Sequence, residues 1–376
     1  QSHLSAAERL TKAEALLEEV GLQASDLQKK PSVFSGGQRQ RIGIARALAT
    51  DPELLICDEC VSALDVSVQA QVLNLLNGIK KNRGLSMIFI SHDLALVSEI
   101  ADEILVMYNG KIVEKGPPKN IFLKPQNPYT KALIASRPKG GLRHKTLATI
   151  ASIESKEFKP EVVSPQQRAA RHQSIYLNPP LLEVSNLSKT FYQKPYLFGR
   201  NILTRAVDNV SFSVYEGETV GLVGESGCGK TTLVKTLLQL ESASAGSVLY
   251  RGKDVTQLNE KNLRAFRREI QIIFQDPFSS LNPKITIGNC IMEPMEVHGI
   301  GDSRLERRQK MERLLRQVGL DHDIGSRYPY QLSGGQRQRV GIARAIAVNP
   351  KLIVCDESVS ALDISVQAQV LNLLNE

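Results

Sequence analysis

Three groups of residues in this chain have types and spacings suited to phosphate chemistry. The first, GESGCGKTT, fits G-x-x-x-x-G-K-[ST] through Gly224, Gly229, Lys230 and Thr231. Its glycines let backbone N–H groups from Gly224, Glu225, Ser226, Gly227, Cys228 and Gly229 close around phosphate oxygens. Lys230 then reaches the outer phosphates, and Thr231, followed by Thr232, offers a hydroxyl to Mg²⁺. The second group is a pair of acids ending an apolar run, LLICDE at Leu54–Glu59 and LIVCDE at Leu352–Glu357. Such a run reads as a buried strand whose carboxyl end presents Asp58 or Asp356 to a metal through water, and Glu59 or Glu357 to an attacking water. The third is SGGQRQR, at Ser35–Arg41 and Ser333–Arg339. Glycines at a helix start leave N–H groups bare, so Ser35, Gly36, Gly37 and Gln38, and likewise Ser333, Gly334, Gly335 and Gln336, make an anion site with a serine hydroxyl as an added donor.

Each group has a plainer reading: a glycine-rich turn, a strand capped by solvated acids, a capped helix. Their surroundings weigh against these. Thr219–Val223 is a short β-rich apolar run and LVKTLLQL follows the loop, which predicts strand, loop and helix in order. RIGIARALA and RVGIARAIA continue the SGGQ segments as helices.

The duplication of two of these groups reflects a repeat. Ser35 aligns with Ser333 at an offset of 298, and from Phe34 to Gly78 this ungapped register gives 34 identities in 45 positions. The chain therefore reads as two copies of one α/β domain: residues 1–136, a linker at 137–180, and residues 181–376, which open with the strand LLEVSNLSKTF. The first copy starts just before its SGGQ segment and lacks a phosphate loop. The second stops shortly after its acidic strand. Because the chain opens with Gln1 inside an amphipathic helical pattern, the expected native start lies upstream, and the chain is read as a fragment.

With 376 residues, 42% apolar and 23% charged, two ordinary cores are affordable and extended disorder is not expected. No window approaches the roughly 18 apolar residues of a spanning helix. The net charge of +8 suits nucleic acid, anionic lipid or nucleotide alike. Basic residues crowd the stretch from Arg137 to Arg171, expected as a solvated linker rather than a nucleic-acid tail. Five cysteines without framework spacing favour a reducing compartment. Cys57 and Cys60 form a C-x-x-C, with no second pair to complete a zinc site. Cys228 is either a reactive thiol beside a helix N-terminus or a small filler.

On these motifs the sequence resembles the ABC ATPase superfamily, outside the linker. The resemblance implies two ABC-type P-loop NTPase domains, each a mixed or parallel sheet core with an α-helical signature subdomain. It makes Gly224–Thr232 a Walker A loop, the SGGQ segments signature loops and the acid pairs Walker B motifs. Asp65 and Asp363, in the two SALD segments, match the D-loop; His92 in IFISHD matches the switch histidine. Gln275 in IIFQD matches the Q-loop glutamine, a further ligand of Mg²⁺. Phe191 sits where the family stacks an aromatic on adenine, with Tyr192 the alternative. FQDPFSSLNP at Phe274–Pro283, LDVSVQAQVLNLL at Leu64–Leu76 and NPYTKAL at Asn127–Leu133 are similar to ATPases of dipeptide, oligopeptide, nickel and glutathione importers. One departure is Cys60 or Ser358 after the acid pair, where the superfamily often has Pro.

The resemblance implies ATP and Mg²⁺ as ligands, with the loop of one copy meeting the signature of the other head to tail. It implies permease membrane subunits as partners, a solute-binding protein as an indirect one, and a peripheral place on the cytoplasmic face of the plasma membrane. No nucleic acid is expected. A soluble tandem ATPase acting on ribosomes or DNA, or a scaffold that binds nucleotide without hydrolysis, stays the alternative. The transported solute is left open among peptide, glutathione and nickel.

Overall fold

The same capping chemistry starts the two repeated helices. In the computed structural model, which describes the chain apart from residues 1–3, 62–63, 137–142, 150–151, 154–160, 194–201, 226, 275–279, 358–363 and 376, two compact units are separated between Ala135 and Ser136.

In the first unit, α1 (Ala6–Glu19) starts at a Ser5–Glu8 capping box. Then come α2 (Gly36–Leu48), β1 (Leu54–Asp58), α3 (Val66–Arg83), β2 (Ser86–Ile90) and α4 (Leu94–Ile100). An antiparallel pair, β3 (Ile104–Tyr108) and β4 (Lys111–Gly116), and two short helices, α5 (Pro118–Leu123) and α6 (Pro128–Ala135), complete the unit. β1 and β2 pair in parallel, with Asp58 opposite Ile90. Leu16, Leu17 and Val20 after α1, Leu48 of α2 and Leu76 of α3 close over Leu55 and Cys57, so one face of β1 is core. The expectation of a buried strand holds for this face alone: Leu54 is 48% exposed and Ile56 61%. The helices of this unit cover a single face, and strand alternation sends every second side chain to the other.

The second unit begins with structure in the stretch expected as a solvated linker. His144 bridges Val162, and Leu147 exchanges hydrogen bonds of 2.8 and 2.9 Å with the Asn372 side chain. A helix, α7 (Pro165–Tyr176), sets Tyr176 edge-on against Tyr215 at 4.9 Å. Hydrogen bonds and a ring contact thus hold parts of a stretch that its charge alone marked as solvated.

A twisted antiparallel sheet follows, ordered β6 (Ile202–Val214), β5 (Leu182–Gln193), β7 (Ala245–Tyr250) and β8 (Lys253–Asp254). Between β6 and β7 runs α8 (Lys230–Leu237). After α9 (Glu260–Glu269), β9 (Ile270–Ile273) pairs in parallel with β10 (Leu352–Cys355). Among the described residues, the α-helices α10 (Ile287–Val297), α11 (Arg304–Gln317) and α12 (Gly334–Ile346) intervene. They share a core around Ile291, Met295, Leu315, Val340 and Ile342, which is the helical subdomain expected beside the sheet. The chain ends on α13 (Ile364–Asn375). The architecture is mixed α/β.

One predicted strand is missing. Residues 219–223 join no ladder, and Val220, Leu222 and Val223 are 47%, 52% and 93% exposed. An apolar run becomes a strand only beside a partner edge.

Candidate active site

Gly229 is the residue on which the glycine-rich loop turns. It is the N-cap of α8 with φ +101°, and no side chain caps that helix. Its Cα lies against β6, where an added Cβ would stand 2.1 Å from the Ala206 carbonyl oxygen. The first N–H groups of α8 are thereby left uncapped at a helix end of partial positive charge. Lys230 folds over its own loop, donating to the Gly224 and Glu225 carbonyls at 2.6 and 2.9 Å. An ammonium has three donors, so one stays available to an anion. Cys228 is exposed and its sulfur rests against Gly224.

Thr231, on the first turn of α8, donates its hydroxyl to Asp356 Oδ2 at 2.8 Å. Residues 125 positions apart are thereby joined at the carboxyl end of β10. Asp356 is 7% exposed, and its N–H donates to the Ile273 carbonyl of β9 at 3.0 Å. A hydroxyl and a carboxylate side by side are hard oxygen donors, which fit a magnesium ion that takes its remaining ligands from water and phosphate. Glu357 follows with φ +47°, a left-handed conformation costly for a branched or long side chain.

The aromatic candidate lies beside this loop. Ala206, which Gly229 touches, falls between the ladder pairs Lys189–Val207 and Thr190–Arg205, next to the Phe191–Thr204 pair. Phe191 is half-buried, with Lys189 Nζ 4.9 Å from its ring centroid, whereas Tyr192 is 70% exposed.

The first unit repeats the acidic end. Asp58 ends β1, Glu59 has φ +46°, and the Glu59 N–H donates to the Ile90 carbonyl at 3.0 Å. His92 Nδ1 lies 3.0 Å from Glu59 Oε1, so the residues expected as water-polarising acid and switch histidine are in contact. Asp65 caps α3, accepting from the Val68 N–H at 2.9 Å and from the Ser67 hydroxyl at 2.8 Å. Before that cap stand two thiols, Cys57 within β1 and Cys60 just past its end. Hydrogen bonding to Cys60, with burial added, pushes the Cys57 thiol well up, and the same contact holds the Cys60 thiol down.

The two SGGQ segments have one geometry. Ser35 Oγ accepts from the Gln38 N–H at 3.3 Å while Gln38 Oε1 accepts from the Ser35 N–H at 3.0 Å, and Ser333 with Gln336 repeats both distances. A serine oxygen that accepts in the cap keeps its own proton to donate outward. Gly37 also has a packing role, since a Cβ there would stand 2.5 Å from Val68 Cγ1. Of the expected site residues, Ser226, Gln275 and Asp363 lie outside the described residues.

Two residues of α12 had not been singled out. Gln338, 2% exposed, donates to the Phe274 carbonyl at 3.3 Å, and Arg344 donates to the Ser280 carbonyl at 2.6 Å. Burial pushes the Arg344 guanidinium below its ordinary pKa. α12 therefore grips the chain on both flanks of the segment containing Gln275. Their identical counterparts Gln40 and Arg46 in the first copy were the available signal.

A family model described as ABC transporter matches residues 2–62 and 207–360. The glutathione import ATP-binding protein of Escherichia coli O6:H1 is 42% identical to this chain, over 98% of the chain and 59% of that protein. Its namesake from Pectobacterium atrosepticum is 44% identical over 93% of the chain and 56% of that protein. The chain thus spans somewhat over half the length of the curated relatives it matches. Among solved structures, a dimeric ATP-binding cassette bound to ADP and Pi aligns at 32% identity over 52% of this chain and 83% of that one, with a TM-score of 0.47.

Proposed function

The chain belongs to the ABC transporter family, and from that premise we propose that it carries parts of two ATP-binding cassettes in tandem and hydrolyses ATP to drive an importer of peptides or related small solutes. The observation that carries the reading is the 2.8 Å bond from Thr231 to Asp356 at the uncapped start of α8. It couples an anion site to a carboxylate that sequence distance alone would keep apart.

In this reading the N–H groups at the start of α8 and the third donor of Lys230 hold phosphate oxygens, and Phe191 stacks on the base. Thr231 and Asp356, with Gln275, hold Mg²⁺; Asp58 has the same role in the first copy. When bound, the ion neutralises phosphate charge. Glu357 orients the attacking water, as Glu59 does in the first copy, where His92 fixes the carboxylate. The signature at Ser35–Gln38 faces the nucleotide held by the second copy, and that at Ser333–Gln336 faces a nucleotide of the first, head to tail. Asp65 and Asp363 line that contact. The relatives named as glutathione import ATP-binding proteins support the importer class, with solute choice among peptide, glutathione and nickel resting on other subunits. Permease subunits contact the segment around Gln275, gripped by Gln338 and Arg344, and a solute-binding protein acts through them. Among the described residues no helix is long and apolar enough to cross a membrane, which accords with a peripheral subunit on the cytoplasmic face.

The test is ATP turnover of the protein purified with and without the membrane proteins that co-isolate with it, beside a Glu357→Gln variant. Turnover stimulated by the membrane proteins and reduced at least about a hundredfold in the variant is expected. Turnover stimulated by ribosomes or DNA instead, with no membrane partner recovered, overturns the importer reading.

A further inference from the structure

Cys57 and Cys60 stand on either side of Asp58–Glu59, and the second copy has Cys355 and Ser358 in their places, so a paired thiol exists in the first copy alone. Cys57 is the fourth residue of β1, 5% exposed and packed in the core beneath the sheet. Alternation along an extended strand would put Cys60 on the opposite face. The left-handed turn at Glu59, φ +46°, brings Cys60 back onto the apolar cluster that holds Cys57. Cys60 stays partly open to solvent, and both are unoxidised.

We propose that Cys57 and Cys60 are a thiol–disulfide exchange site that takes low-molecular-weight disulfides and that its oxidation withdraws Glu59 from its working position. The Cys60 sulfur, the one with solvent access, attacks a disulfide RSSR and forms Cys60–S–S–R as one RS⁻ leaves. The Cys57 thiol gives its proton to solvent and displaces the second RS⁻ from Cys60 sulfur. Both leaving thiolates take up protons, so two protein thiols and RSSR become one protein disulfide and two RSH. The new bond closes a four-residue ring containing Asp58 and Glu59. Glu59 owes its contact with His92 to the turn inside that ring, so the ring strains the contact. Loss of turnover on oxidation rests on the proposed role of Glu59; formation of the disulfide does not.

The experiment exposes the full protein to hydroxyethyl disulfide, then follows the peptide spanning residues 57–60 by mass spectrometry and ATP turnover in parallel. The expected wild-type peptide is about 2 Da lighter, for two hydrogens lost, and reverts with a dithiol reductant. Turnover falls at least about threefold and recovers with the reductant, one of the two acidic ends being impaired. Cys60→Ser, which installs the residue of the second copy, keeps its turnover and takes no mass loss. A peptide whose thiols stay alkylatable after exposure overturns the proposal, as does equal loss of turnover in Cys60→Ser. A Glu59→Gln control separates the two readings. If it hydrolyses ATP like wild type, the role of Glu59 fails, and the mass result alone then decides the exchange site.

Discussion

Replacing Gly229 with alanine tests whether the phosphate loop is seated on β6 as described. Two costs add at this position. The backbone has φ +101°, and such angles cost a residue with a Cβ about 1–2 kcal/mol. The new methyl would also stand 2.1 Å from the Ala206 carbonyl oxygen, more than 1 Å inside a contact of about 3.5 Å. The obstacle is backbone within a strand, so the loop or β6 must move, for a further cost of about 1–3 kcal/mol. Gly227→Ala is the matched control. It has φ +81° with nothing within 4 Å of the added Cβ, so it carries the first cost alone. Hydrogen exchange of α8 and β6 amides without nucleotide reads the difference, because each tenfold rise in exchange rate corresponds to about 1.4 kcal/mol of lost local stability. We expect Gly229→Ala to speed exchange at least about fivefold more than Gly227→Ala, in β6 as well as α8. Equal acceleration in the two variants, or an effect that stops at α8, would refute the contact between loop and strand.

Three further substitutions probe separate parts of the site. Thr231→Val keeps the shape but leaves the buried Asp356 carboxylate without its hydroxyl partner; nucleotide affinity in Mg²⁺ should fall about tenfold or more while affinity measured in EDTA is unchanged, and an equal loss in both conditions would remove the metal assignment. Phe191→Ala should weaken nucleotide binding by about 1–3 kcal/mol in a fluorescence titration and Tyr192→Ala by far less; the reverse order transfers the stacking role to Tyr192. Gln338→Leu removes a buried donor to the Phe274 carbonyl, and β9 amides should exchange roughly tenfold faster, whereas unchanged exchange would mean that α12 does not hold this flank.

The parts of the site that were legible in the sequence depend on neighbours a few positions away. Ser35 and Ser333, each with Gln three residues on, announce a capping box, and both boxes form with the same distances. Lys230 and Thr231 open a helix because the glycines before them allow it, and the acid pairs end strands because apolar runs precede them. What local pattern could not supply was the other side of each contact. Residues 219–223 have every property of a strand except an adjacent edge. β1 has the composition of a strand buried on both faces, yet its helices cover one. The stretch 143–176 is basic enough to read as solvated, and Leu147 and Tyr176 within it find partners in Asn372 and Tyr215, far along the chain. Gln338 and Arg344 looked like ordinary polar helix residues, and only the carbonyls of Phe274 and Ser280 give them a role.

The two acidic turns show why the residue after each strand aspartate is a strained one. Glu59 and Glu357 have φ +46° and +47°, a region where asparagine or glycine would sit at less cost. A strand that continued in extended geometry would send the glutamate side chain to the face opposite the aspartate, toward the layer that packs against the sheet. The left-handed step instead keeps both carboxylates at the end of the strand. In the first copy it also lets the Glu59 N–H close onto Ile90, two residues before His92, so that the histidine arrives within 3.0 Å of the carboxylate. The strain, of about 1–2 kcal/mol per turn, is offset by that backbone bond and by the parallel pairing of Asp58 with Ile90. An uncharged glycine would relax the turn and abolish the group the turn exists to place. Finding the same angle at both copies, on strands with different partners, argues that the position of the carboxylate rather than the packing around it sets the backbone here.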